Sequence, residues 1–81
     1  MEMAKSLSGH DKEQLYVVIR GDGEFVYLVN GVNRTLEKPK KKNRKHIQII
    51  KKLPGEVIEC LSRGVTDLTA KRAIKLYEQN M

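Results

Sequence analysis

Residues 15–29 read LYVVIRGDGEFVYLV, and this stretch decides the fold. Two runs rich in β-branched and aromatic side chains, 15–19 and 24–29, flank Gly21-Asp22-Gly23. Runs of that length and composition are strand-like, and a short glycine link between them closes a β-hairpin. Asn30-Gly31 follows, a pair suited to the positive φ angles of a type I′ turn, and Val32 starts a further strand. There Val32, Arg34 and Leu36 share one face, while Asn33, Thr35 and Glu37 share the other. That is the partial apolar alternation of an edge strand. Pro39 has no N–H to give to a ladder and ends it.

Upstream of the hairpin, Met3 and Leu7 suggest a short first strand over residues 1–8, and Gly9-His10-Asp11-Lys12 reads as a turn. Downstream lies KPKKKNRK at residues 38–45, six Lys or Arg and no acid, expected as the connection into a last short strand at residues 46–50. Residues 1–50 thus hold four or five short strands joined by tight turns. A small barrel or strongly curved sheet is the economical way to bury such a pattern.

After Lys52 the periodicity changes. Pro54 suits a first helical turn and Gly64 the position just past a helix end. Between them Val57, Ile58 and Leu61 share a face, with Cys60 on its margin. Thr66 suits an N-cap, with Asp67 beside the positive end of the helix dipole. Ala70, Ala73, Ile74 and Tyr77 then form an amphipathic stripe opposite Lys71, Arg72 and Lys75. The expected organisation is a single domain, mainly β, with residues 1–52 as a barrel and residues 53–81 as a helical extension packed on it.

Charge carries the functional signal. The chain has 16 basic and 10 acidic side chains, net +6. Residues 38–45 hold six of the basic ones, so the whole net charge resides there. A charge run is most often a solvated loop. This one is dense, and the apolar run IQII beside it requires burial, which argues for an ordered basic rim. Such a rim selects a polyanion, with nucleic acid ahead of an anionic membrane. Lysine ammonium groups position a phosphate backbone without reading bases. The expected phosphate contacts are Lys38, Lys40, Lys41, Lys42, Arg44 and Lys45, with His46 and Arg34 beside them. Aromatic residues are few; Tyr16 and Phe25 lie in apolar runs and are expected in the core, with Tyr27 on the face of Phe25. The chain therefore looks suited to the shape and backbone of folded RNA, not to stacking a linear strand.

Catalysis has little to work with. His10 and His46 have no Cys or Asp partners at metal-ligand spacing. Cys60 reads as a small core residue. Gly21-Asp22-Gly23 lacks the helix and the Gly-Lys-Ser/Thr of a phosphate loop. No enzymatic activity, cofactor, metal or small-molecule substrate is expected. One cysteine, no apolar run of transmembrane length and no signal-peptide pattern point to a soluble cytoplasmic protein.

The succession of a short strand, Gly9-His10-Asp11-Lys12, LYVVI, a turn, EFVYLVNGVNR, EKPKKKNRKHIQ and a helical tail resembles small bacterial KOW-domain RNA-binding proteins. These are similar to the KOW-carrying ribosomal proteins of the archaeal and eukaryotic large subunit. The resemblance covers roughly residues 3–50. Its most specific part is Arg34 followed by EKPKKKNRKH at residues 37–46, and Gly9, Asp11 and Lys12 match the family's Gly-Arg-Asp-Lys-Gly loop. His10 stands where the family usually has Arg, and Glu13 where it usually has Gly. The resemblance implies a five-stranded SH3-like barrel that binds RNA, ribosomal or ribosome-associated, with ribosomal RNA and ribosomal proteins as partners. Lys12 then joins the basic contacts from a neighbouring loop. Two other classes remain open: an SH3-like protein-interaction adaptor for an acidic partner or the transcription and translation machinery, and a polybasic address or lipid-binding segment.

Overall fold

The computed structural model describes residues 2–80; Met1 and Met81 lie outside the described residues. Five strands, β1 (Glu2–Ser6), β2 (Leu15–Asp22), β3 (Phe25–Val29), β4 (Lys40–Asn43) and β5 (Ile47–Ile50), are followed by helices α1 (Gly55–Ser62) and α2 (Asp67–Gln79). The strands make one antiparallel curled sheet, a half-barrel, in the order β4-β3-β2-β1-β5. A one-turn 3-10 helix, Arg44–His46, joins the two edge strands β4 and β5.

The 15–29 hairpin forms, with its turn placed later than the glycine pattern suggests. Gly21 and Asp22 belong to β2 and pair with Val26 and Phe25. The turn is Gly23-Glu24, with Gly23 at φ 60°. A two-residue loop with a positive φ matches the twist of the flanking strands. A β-bulge between Val18 and Arg20 shifts the register. Without it Arg20 would share the inner face of Val18. Ile19 keeps the helix-side face of Val17, and the bulge puts Arg20 opposite Tyr27 on that same outer face.

The strand expected over residues 32–37 is absent; these residues lie in a loop between β3 and β4. Asn30 explains this. Its side-chain oxygen accepts from the Val32 and Arg34 N–H groups, at 2.9 and 3.0 Å, giving the backbone an alternative to a ladder. Gly31, at φ 78°, lies so close to α2 that a Cβ would meet the Asp67 carbonyl and the Lys71 backbone nitrogen. The Leu36 N–H donates to the Asp67 carboxylate at 2.8 Å, tying the far side of the loop to the same helix. The partner of β3 is instead the basic stretch: Lys40 to Asn43 form β4. Pro39 therefore precedes a strand and does not end one, and His46 lies in the 3-10 turn before β5.

Strand alternation divides the apolar residues between two cores. Ala4, Tyr16, Val18, Val26, Leu28 and Ile47 fill the inside of the curled sheet. Met3, Leu15, Val17 and Val29 point outward and are covered by Val57, Leu61, Ala70 and Ala73 of the helices. Thr66 and Thr69 form a reciprocal capping box at the start of α2. Gly64, at φ 100°, follows the end of α1 and reverses the chain. Ile58, expected on the buried face of α1, is 55% exposed; Val57 and Leu61 suffice to cover the sheet there. No described helix is long and apolar enough to cross a membrane.

Candidate nucleic-acid interface

Alternation along β4 sorts the basic stretch into two groups. Lys40 pairs with Leu28 and Lys42 with Val26, both inner-face residues, whereas Lys41 pairs with Tyr27 on the outer face. Lysine has little intrinsic preference for strands, but inward-pointing charge on an edge strand is a common device against edge-to-edge association. Here the inward charge has a partner in Asp11, carried on the β1–β2 loop.

Asp11 is buried and accepts at both oxygens. Ser6 Oγ and Lys42 Nζ reach Oδ1 at 3.0 and 2.7 Å. The Tyr16 hydroxyl reaches Oδ2 at 2.9 Å, and Lys40 Nζ lies 3.2 Å from the same atom. Lys42 Nζ also donates to Ser6 Oγ and the Ser8 carbonyl, so its three protons are all used. Burial alone would raise the Asp11 pKa; the hydrogen bonds from Lys42, Tyr16, Lys40 and Ser6 win and hold it well below the usual carboxylate range. Burial, the hydrogen bond to Asp11 and the charge of Asp11 push the Tyr16 hydroxyl up to about 12. A buried carboxylate thus clamps the edge strand to the β1–β2 loop, and every buried side-chain polar atom among the described residues has a partner.

The remaining cations face outward. Lys38, Lys41, Arg44, Lys45 and His46 are exposed, as is Lys12, next to the clamp residue Asp11. Arg44 Nε donates to the Gly23 carbonyl at 2.8 Å, placing this guanidinium beside the hairpin turn. Asn43 caps the 3-10 turn by accepting from the Lys45 N–H, and the His46 carbonyl accepts from the Leu7 N–H at 2.8 Å. Arg34 is half-buried in the β3–β4 loop, where its backbone carbonyl accepts from Asn30 and Gly31. The basic stretch is therefore an ordered edge strand and turn in place of the expected connection.

Two rings stand on the outer face beside these cations. Phe25, expected in the core, is half-buried, as is Tyr27; the aliphatic Val26 and Leu28 between and beyond them take the inner face. The Lys41 ammonium lies 4.4 Å from the centre of the Phe25 ring, and the Arg20 guanidinium 4.2 Å from that of Tyr27. Nothing in the sequence marks Arg20, and Asp11 is legible there as a turn residue that matches the family's loop, not as a buried counter-charge. The signal for the rings was present as the aromatic-aliphatic alternation of FVYL.

No protein-family model matches the chain, and no curated protein matches it.

Proposed function

We propose that this chain is a non-enzymatic RNA-binding protein of the KOW type, with an SH3-like barrel and a helical extension, acting as a ribosomal or ribosome-associated component in the cytoplasm. One observation carries the reading. The six cations that equal the net positive charge lie on a fixed edge strand, on its following turn and at Lys38 just before it, with Lys38, Lys41, Arg44 and Lys45 exposed. A strand held by a buried clamp presents its cations without first ordering them, so less conformational entropy is lost when a phosphate backbone docks. Lys12, His46 and the half-buried Arg34 flank this edge. Lys40 and Lys42 contribute to the local positive field while their ammonium groups hold Asp11. The resemblance of residues 3–50 to KOW proteins supports the same reading.

The test is sedimentation of a cell lysate through sucrose gradients at low and high salt. Comigration with the large ribosomal subunit at low salt, lost at high salt or after RNase, is the expected result. Residence at the top of the gradient at every salt concentration contradicts the ribosomal assignment. A protein-interaction adaptor is the second reading, and Ile58 and Leu68, 55% and 75% exposed on α1 and α2, favour it. An adaptor keeps its partner after RNase treatment.

A further inference from the structure

The helices cover only part of the outer sheet face. Phe25, Tyr27 and Val29 all point to that side of β3, but only Val29 lies beneath the helices. What remains is two cross-strand rows: Arg20, Tyr27 and Lys41, then Asp22, Phe25 and Asn43. We propose that this uncovered end binds unpaired nucleotide bases of the RNA, stacked on Phe25 and Tyr27. The inference rests on the RNA-binding reading above and adds single-stranded segments to the phosphate contacts.

Three features argue for bases as the occupant. First, each ring already holds an exposed cation on its face, so each face is accessible to a flat, polarisable group. A solvent-exposed cation–π contact is weak enough to be displaced. The displaced Lys41 and Arg20 then lie beside the phosphates of the stacked nucleotides, supplying charge complementarity. Second, the two rings stand two residues apart on one strand, a spacing of about 7 Å. The rise per nucleotide of a duplex strand is only about 3.4 Å. Bases resting on both rings are therefore unstacked from one another, which a continuous duplex does not permit. Third, the acids confine the backbone. Asp22 and Glu24 stand at the hairpin end, where Arg44 offsets part of their charge, so phosphates leave toward Lys41 on β4.

The test uses the full chain and two RNAs of matched sequence, one single-stranded and carrying a fluorescent adenine analogue, the other a continuous duplex. The expected result is quenching of the analogue on binding and tighter binding of the single strand. Phe25→Leu and Tyr27→Leu keep the apolar cover but remove the π face. Each should weaken single-strand binding about tenfold and abolish part of the quenching, with duplex affinity unchanged. Phe25→Tyr and Tyr27→Phe should retain both, which separates loss of stacking from loss of fold. Duplex binding with no quenching of the single strand, or leucine variants that quench fully, would overturn the base platform alone. Failure of both RNAs to bind at low salt would overturn the RNA-binding reading with it.

Discussion

Replacing Lys42 by methionine removes a charge from the Asp11 clamp while keeping an unbranched side chain of similar length. In the native protein this ammonium contacts Asp11 and Ser6 at 2.7 Å and the Ser8 carbonyl at 2.8 Å. The Lys42 and Asp11 side chains are only 10% and 9% exposed, so water cannot take over the lost contacts. Removing one partner of a buried ion pair typically costs about 3–5 kcal/mol. Lys40, 25% exposed and 3.2 Å from the carboxylate, still offers some compensation, which points to the lower end, about 3 kcal/mol. A domain of this size has a total stability of about 4–12 kcal/mol. The melting temperature should therefore fall by about 12–24 °C, measured by far-UV circular dichroism with urea titration as a second determination. Lys41→Met, on the exposed face of the same strand, should stay within about 0.5 kcal/mol of wild type. The acid limb supplies a second signature. The folded-state pKa of Asp11 lies below its unfolded value of 3.8, so the unfolded chain takes up the proton first. The stability from this group is present above that pH and is lost as pH falls further. Lys42→Met should flatten that acid limb. Unchanged neutral stability together with an unchanged acid limb would refute the clamp.

Raising the pH tests the same network from the other side. Tyr16 titrates at about 12 in the folded protein, above its ordinary 10.0, so the stability it contributes is present below pH 10 and lost as pH rises toward 12. Tyr16→Phe should flatten that alkaline decline, and should also cost about 1.5–3 kcal/mol at neutral pH for the lost hydrogen bond to a charged acceptor. Glu13 sits at φ 75°, a conformation that L-residues adopt at a cost, and its Lys5 ion pair is long and two-thirds exposed on the Glu13 side. Glu13→Gly should raise stability by about 0.5–1 kcal/mol in urea titrations, net of the greater freedom of glycine in the unfolded chain. Gly31→Ala should do the reverse, losing about 2 kcal/mol or more, because its φ of 78° and the Asp67 and Lys71 backbone both exclude a Cβ.

The hairpin, both helices and their caps were legible because local chemistry specifies them. LYVVI and FVYLV have strand composition, Thr66 has the right side chain for a cap, and Gly64 the right freedom to end a helix. The stretch between Asn30 and Asn43 is not legible locally because its structure depends on distant partners. Alternation over residues 32–37 suggested a strand, yet Asn30 satisfies the local backbone and Asp67, over thirty residues away, holds Leu36. Lysines 40–42 carry no strand signal of their own. They form β4 because β3 offers an unpaired edge and Asp11 offers a buried counter-charge. The candidate site was legible as charge but not as geometry. Sequence alone could not tell that Lys40 and Lys42 turn inward while Lys41 turns out. Nor could it tell that the bulge after Val18 brings Arg20 over Tyr27.

The most direct test of the central claim is RNA affinity as a function of salt, for wild type and for a variant with Lys38, Lys41 and Lys45 changed to Gln. These three cations are exposed, so the variant should keep the wild-type melting temperature to within a few degrees. If the edge engages four phosphates, log affinity should fall with log salt at a slope of about −3 to −4 for wild type, and at about −1 for the variant. No binding at low salt, or a slope the three substitutions leave unchanged, would contradict phosphate recognition by the β4 edge.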